Sequence, residues 1–216
     1  MKTTRYTDNE LGFPAIIMEP DRLPDAPAMI LQLHGAGERG LGGDALDKVL
    51  VHGFPKVVTD DNFTDAILVM PQCPPDTFWV ARIESIKAFI DRVCALYHVD
   101  PHRIYICGLS MGGYGTWYTA MAYPQLFAAA APCCGGGMAW NAGQLTMPIW
   151  AFHGLDDAVV SPYHTKEMAA KLEGKNPHFR CTLYEGVAHK SWERAFSPEL
   201  LAWMLAQHTE KRSLPR

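Results

Sequence analysis

The stretch GLSMG (residues 108–112) decides the fold of this chain. An apolar run predicted as a strand (residues 103–107) precedes it, and a segment predicted as a helix (residues 111–123) follows. G-x-S-x-G between a strand and a helix is the spacing of a nucleophile elbow, a tight turn that exposes its serine. Side chains at either glycine would collide with neighbouring backbone there. A plain glycine–serine turn is the alternative, but this context and the small Gly113 favour Ser110 as a nucleophile.

Apolar runs alternate with helical patterns on both sides of this turn. The predicted strands are residues 28–33, 66–70, 103–107, 127–131, 148–152 and 179–184, with a further strand at 15–18 on the sheet edge. The predicted helices are residues 83–97, 111–123 and 163–172, and a last helix that Ser191 caps and that buries Leu200, Leu201, Met204 and Leu205. Such alternation predicts an α/β fold with a mostly parallel sheet of about seven strands, covered by helices on both faces. No linker or repeat is visible, so a single domain over residues 1–216 is expected, without a large cap.

The catalytic partners of an elbow serine follow it in the chain, first an acid and then a histidine. Asp156 and Asp157 lie in the loop after the strand at 148–152, and His189 lies in the loop after the strand at 179–184. The other downstream histidines lie at a helix start, before a strand and near the chain end (His164, His178 and His208). His189 is therefore predicted as the base, and the acid is one of the two neighbouring aspartates.

A second glycine-rich stretch, GAGERG (residues 35–40), follows the strand at 28–33 and matches the G-x-G-x-x-G of dinucleotide-binding turns. A dinucleotide fold would place a carboxylate at the end of the next strand, but residues 69–72 read Val-Met-Pro-Gln. In a dinucleotide-binding turn a helix also begins within the glycines, whereas here residues 41–43 (Leu-Gly-Gly) continue the loop. No nucleotide cofactor is therefore predicted, and the stretch is interpreted as part of a catalytic loop.

Composition narrows the possible partners. The net charge is -4, with no Lys/Arg run, which argues against a nucleic-acid surface. No stretch approaches the ~20 apolar residues of a membrane span, and residues 1–20 lack the apolar core of a signal peptide. The six cysteines include no C-x-x-C pair. We therefore expect a reduced, cytoplasmic protein with no metal site, cofactor, nucleic-acid or membrane partner; the oligomeric state is left open.

With Ser110, an aspartate and His189 in this order, the chain resembles the serine esterases of the α/β-hydrolase superfamily. It is most similar to small lidless bacterial carboxylesterases related to the dienelactone hydrolase, polyhydroxyalkanoate depolymerase and feruloyl esterase groups. The matching stretches are LHGAGERG from Leu33, PQCP from Pro71, GLSMGGYGTW from Gly108, FHGLDDAVV from Phe152 and GVAHKSW from Gly186. Dienelactone hydrolases proper carry a cysteine nucleophile, so Ser110 departs from them and indicates ordinary esters.

The resemblance implies an α/β-hydrolase fold and further site residues. It favours Asp157 over Asp156, because H-G-x-x-D-x-x-V places the acid at this spacing in similar hydrolases. It assigns the oxyanion hole to the backbone N–H groups of Ala36 and Met111. Candidate walls of the substrate pocket, any of which core packing could equally explain, are Trp79, Met138, Trp140 and Trp192.

Two features of the oxyanion loop have more than one interpretation. Glu38 and Arg39 either pair and hold the loop or meet a polar part of the substrate, while His34 is expected to shape the loop rather than act as a base. The predicted activity is cofactor-independent hydrolysis of small carboxylic esters, with short acyl or aryl esters favoured. The alternatives are a small peptidase resembling the catalytic domain of prolyl oligopeptidases and a binding protein on a hydrolase scaffold.

Overall fold

A computed structural model describes residues 1–7 and 10–209 and contains one eight-stranded sheet. The strands are β1 (Lys2–Tyr6), β2 (Ala15–Glu19), β3 (Ala28–Leu33), β4 (Ala66–Pro71), β5 (Ile104–Leu109), β6 (Ala129–Cys133), β7 (Ile149–Gly154) and β8 (Phe179–Tyr184). The α-helices are α1 (Ile83–Tyr97), α2 (Met111–Ala122), α3 (Tyr163–Leu172), α4 (Trp192–Ala195) and α5 (Pro198–Leu205). Short 3₁₀ segments are Ala36–Glu38, Gly43–Leu50, Phe54–Lys56, Trp79–Ala81 and Ala139–Gln144.

The sheet has the order β1-β2-β4-β3-β5-β6-β7-β8, and only β1 and β2 run antiparallel to their neighbours. The central strand β5 pairs with β3 through Gly108 and Leu33, and with β6 through Leu109 and Cys133. Because parallel strands end at the same edge, the loops after β3, β5, β6, β7 and β8 meet there. The predicted α/β fold with a mostly parallel sheet is confirmed.

Each face of the sheet carries its own hydrophobic core. One core buries Ile86, Phe89, Ile90 and Val93 of α1 together with residues of α2 and α3. The other buries Leu200, Leu201 and Met204 of α5 together with α4 and two 3₁₀ segments. Helices therefore cover both faces, as expected, and Leu205 is only partly buried. Within the described residues, no helix combines the length and apolar character needed to cross a membrane.

Two details of the predicted fold are wrong. The strand expected at the sheet edge, here Ala15–Glu19, lies inside the edge, because Lys2–Tyr6 pairs antiparallel with it through Thr4 and Ile17. Ser191 does not cap the last helix: it precedes the four-residue α4 and makes no side-chain cap bond. Ser197 caps α5 instead, since its side chain accepts a hydrogen bond from the Leu200 N–H.

Candidate active site

Ser110 lies in a strained turn between β5 and α2. Its φ of 53° and ψ of -117° are outside the regions that non-glycine residues ordinarily adopt. The turn is held by backbone contacts, since a Cβ on Gly108 would lie 2.3 Å from the Gly112 carbonyl oxygen. A Cβ on Gly112 would lie 1.9 Å from the Leu33 carbonyl oxygen. Both positions therefore require glycine, and the packing fixes where the serine side chain points.

Gly112→Ala should destabilise the protein by about 3 kcal/mol or more, because the clash is with backbone that cannot rotate away. Gly37→Ala is the matched control, since a Cβ there would meet no heavy atom within 4 Å. We expect that control to stay within about 0.5 kcal/mol of the wild-type protein. Urea denaturation of the three proteins measures the difference, and equal stabilities would contradict the described elbow.

A hydrogen-bonded relay connects Ser110, His189 and Asp157. The Ser110 Oγ lies 2.9 Å from His189 Nε2, and His189 Nδ1 lies 2.7 Å from an oxygen of Asp157. His189 follows β8 and Asp157 follows β7, as the sequence predicts. The other downstream histidines, His164, His178 and His208, are exposed and make no such contact within the described residues.

The carboxylate of Asp157 is buried and fully hydrogen-bonded. Its Oδ1 accepts from the backbone N–H groups of Val159 and Val160, each at 2.9 Å. Burial alone would raise the pKa of this carboxyl, but the hydrogen bonds from His189 and the two N–H groups hold the pKa below its ordinary value. Asp157 is therefore ionised, while Asp156 is exposed and lies outside the relay.

A second histidine touches the same carboxylate, and sequence reasoning missed it. His153 is completely buried; its Nε2 lies 3.3 Å from Asp157 Oδ2 and 3.0 Å from the Val160 carbonyl oxygen. Both partners accept, so the Nε2 carries the proton, and burial lowers the pKa of this imidazole. Its Nδ1 lies 2.7 Å from the Thr165 hydroxyl oxygen, which itself donates to the Gly135 carbonyl at 2.8 Å. His153 thus braces Asp157, and the H-G-x-x-D spacing was the only available signal.

The loop after β3 is organised by His34. Its Nε2 accepts from the Cys73 N–H at 2.9 Å, so its Nδ1 carries the proton and donates to the Gly35 carbonyl at 2.6 Å. Burial lowers the pKa of His34 to about 4. This imidazole is neutral and saturated with partners, which suits a residue that shapes the loop and leaves it no role as a base.

The two predicted oxyanion-hole groups lie on either side of the elbow. Ala36 begins the 3₁₀ turn after Gly35, and a Cβ on Gly35 would lie 3.1 Å from the Leu109 side chain, beside Ser110. Met111 is the first residue of α2. Neither N–H is hydrogen-bonded to another group among residues 1–7 and 10–209. Both remain available to a substrate, and the positive end of α2 adds to the donor character of Met111.

Glu38 and Arg39 do not pair with each other. The guanidinium of Arg39 donates to the carbonyl oxygens of Ala36, Pro75 and Thr77, so it ties the loop after β3 to the loop after β4. Glu38 faces His52 at 4.0 Å instead. Of the two interpretations offered by the sequence, the holding role applies to Arg39 alone.

Gln72 is a further support of this loop that sequence reasoning missed. It is buried, its Oε1 accepts from the Gly42 N–H, and its Nε2 donates to the carbonyls of Glu38 and Ala45. One amide side chain therefore bonds three points of the chain between Glu38 and Ala45. The stretch PQCP was the signal that could have identified it.

The four candidate wall residues have different environments. Trp79 is completely buried, packs against Phe13 and donates from Nε1 to the His34 carbonyl, so its prediction as a pocket wall is wrong. Trp192 is buried as well, and it packs edge-on against the His189 ring with 5.2 Å between the ring centroids. Met138 is partly buried, whereas Trp140 is 80% exposed. Only Trp192 directly contacts a residue of the relay.

Trp79→Phe should lower the free energy of unfolding by about 1–3 kcal/mol, because the His34 carbonyl loses its buried donor. Trp140→Ala should change it by less than about 0.5 kcal/mol, as expected of an exposed side chain. Thermal and urea unfolding distinguish the two. If Trp79→Phe altered KM for an ester and left stability unchanged, Trp79 would be a wall residue after all.

Cys134 lies directly beside the nucleophile. It follows β6 with a φ of 41°, and its Sγ lies 3.3 Å from the backbone nitrogen of Ser110. The same nitrogen donates to the Cys133 carbonyl at 3.0 Å. The thiol is completely buried.

Known proteins match this chain over most of its length. The profile of the dienelactone hydrolase family matches residues 57–197. Poly(3-hydroxyalkanoate) depolymerase C of Paucimonas lemoignei is 46% identical over 52 residues, which are 24% of this chain and 13% of that protein. Feruloyl esterase B of Neurospora crassa is 28% identical over 155 residues, which are 66% of this chain and 50% of that protein. The chain thus spans half or less of these relatives.

A solved structure described as a thermostable esterase has the same fold. It superposes with a TM-score of 0.82 at 30% sequence identity, covering 96% of this chain and 63% of the other.

Proposed function

The chain belongs to the dienelactone hydrolase family, and from this membership we propose that it hydrolyses carboxylic esters through an acyl-enzyme on Ser110. The observation that carries the proposal is the relay from Ser110 Oγ to His189 at 2.9 Å and from His189 to Asp157 at 2.7 Å. Spacings of this size allow direct proton transfer between nucleophile and base. The names of the relatives, a depolymerase and two esterases, agree with ester chemistry.

The first half of the reaction forms the acyl-enzyme. Ionised Asp157 accepts a hydrogen bond from the Nδ1–H of His189, which leaves the lone pair on Nε2 to accept the Ser110 proton. The serine oxygen attacks the ester carbonyl, and the imidazolium that results is stabilised by the carboxylate. His189 then gives its Nε2 proton to the departing alcohol, and the acyl group remains on Ser110.

The second half releases the acid. A water molecule gives its proton to His189 Nε2 and attacks the acyl carbonyl, after which Ser110 takes the proton back. In both halves the carbonyl oxygen becomes negative, and the N–H groups of Ala36 and Met111 are the proposed donors to it. Losing one such donor costs on the order of 3 kcal/mol of barrier.

Short acyl or aryl esters are the proposed substrates. The segment between β6 and β7 contains only the 3₁₀ turn Ala139–Gln144, and that between β7 and β8 contains only α3, so no cap covers the site within the described residues. Trp192 lies beside the His189 ring but is buried, so it adds little apolar surface to the site. A long acyl chain would need a larger apolar groove than these elements supply.

Hydrolysis of matched substrates tests this proposal. We expect turnover of p-nitrophenyl acetate to exceed that of p-nitrophenyl laurate and that of the p-nitroanilide of a short peptide. Comparable turnover of the anilide would indicate the peptidase alternative. An absence of ester turnover by the folded protein, together with no labelling by a fluorophosphonate, would favour a binding protein.

Asp157 should also make the free energy of unfolding of the protein depend on pH. Because its folded-state pKa lies below the ordinary value near 3.9, the carboxylate stabilises the native protein above about pH 4. This contribution is lost as the pH falls through the folded-state pKa. We expect the free energy of unfolding to fall more steeply between about pH 5 and about pH 3 in the wild-type protein than in Asp157→Asn. Parallel curves from urea denaturation would show that Asp157 contributes nothing of this kind.

A further inference from the structure

Three potential metal ligands meet at the relay. Among residues 1–7 and 10–209, the ligand atoms of Cys134, Asp157 and His189 form the one such group whose members all lie within 4.8 Å of one another. Cys134 and the Asp157 side chain are fully buried, whereas the His189 side chain is 19% exposed. The group is therefore sheltered but open to solvent on the side of the imidazole.

The chemistry of the group suits zinc. A thiolate, an imidazole and a carboxylate are the three ligand types that Zn²⁺ takes from proteins. Tetrahedral coordination with bonds of about 2.0–2.3 Å places ligand atoms roughly 3.3–3.8 Å apart. The three ligand atoms lie within 4.8 Å of one another, so side-chain adjustment is needed to reach that range, and the fourth position is left for water.

Two of the three ligands are already held in place. The backbone N–H of Cys134 donates to the Phe152 carbonyl at 2.8 Å, which anchors the strained residue that carries the thiol. Asp157 Oδ1 is bonded to two backbone N–H groups, so its Oδ2 is the oxygen that faces the group. Ligands fixed by such outer contacts bind a metal ion more tightly.

We propose that Cys134, Asp157 and His189 form an inhibitory binding site for Zn²⁺ and similar thiophilic divalent cations. Binding replaces the thiol proton of Cys134, which is released to solvent, and places the ion on an oxygen of Asp157 and on the nitrogen of neutral His189 that carries no proton. The relay to Ser110 is then interrupted. Mg²⁺ and Ca²⁺ prefer oxygen ligands and do not compete. The inhibition rests on the proposed function, whereas the binding depends on the group alone.

Cobalt absorption tests the binding without reference to activity. Co²⁺ added to metal-free Ser110→Ala protein should produce the charge-transfer absorption of a thiolate–cobalt bond, and Zn²⁺ should abolish it. The double variant Ser110→Ala, Cys134→Ser should not show the absorption. Its absence from the first protein, or its persistence in the second, would overturn the site. This result stands whether or not the protein hydrolyses esters.

Zinc titration of ester turnover tests the inhibition. Wild-type protein should be inhibited reversibly by Zn²⁺, with recovery on addition of EDTA, and not by Mg²⁺. Cys134→Ser, compared with its own metal-free rate, should need more than about 10- to 100-fold higher Zn²⁺, since even outer contacts are worth that much affinity. Cys94→Ser, which removes a partly buried thiol on α1, is the control and should behave like wild type. Equal inhibition of all three proteins would place the effect elsewhere and refute the proposal.

Discussion

Replacing Ser110 with alanine should reduce ester turnover by roughly 10⁴- to 10⁶-fold, because the reaction loses the oxygen that carries the acyl group. The fold should be unaffected, since the only side-chain partner of Ser110 Oγ among the described residues is His189. Stopped-flow or endpoint assays with p-nitrophenyl acetate measure the rate, and urea denaturation checks the stability.

The control for this variant is Ser85→Ala, which removes a serine hydroxyl from α1 on the sheet face opposite α5. It should retain wild-type turnover. A Ser110→Ala protein that is folded and still turns over ester at more than about a hundredth of the wild-type rate would exclude Ser110 as the nucleophile.

Replacing Asp157 with asparagine should reduce kcat by roughly 10⁴-fold. The amide is nearly the same size, so the packing persists, but it cannot stabilise the imidazolium or hold the Nδ1–H tautomer of His189. The loss should therefore appear in kcat rather than in KM. Rates measured at saturating p-nitrophenyl acetate separate the two parameters.

Asp156→Asn is the matched control, because it makes the same chemical change one residue away on an exposed side chain. Its kcat should stay within about twofold of wild type, as for an exposed charge with little coupling to the site. If Asp156→Asn were the damaging variant and Asp157→Asn the mild one, the acid of the relay would be misassigned.

Much of the sheet and its helices can be predicted from the sequence because the signals are local. The strands Ala28–Leu33 and Phe179–Tyr184 and the helices Ile83–Tyr97 and Tyr163–Leu172 have the predicted bounds. Each combines a periodic pattern of apolar residues with a nearby proline or glycine. This pattern can be recognised from the local sequence, without knowledge of the tertiary structure. The elbow is equally local, since two glycines and a serine in five residues specify it.

The missed features depend on contacts between distant segments. Lys2–Tyr6 is largely exposed and its first four residues are polar, so no apolar run indicates that it pairs with β2. A buried tryptophan such as Trp79 and a pocket tryptophan have the same sequence signal, and only the packing distinguishes them. Cys134 lies beside the Ser110 backbone because β6 pairs with β5, but the contact itself depends on packing that the sequence does not show.

The acyl-enzyme itself is the most direct test of the proposed function. Protein mixed with p-nitrophenyl acetate, quenched in acid during the first turnover and digested, should carry one acetyl group, located by mass spectrometry on Ser110. The label should be absent from Ser110→Ala and should disappear as hydrolysis proceeds. An acetyl group on another residue such as Cys134, or turnover with no acetylated peptide at all, would contradict the account.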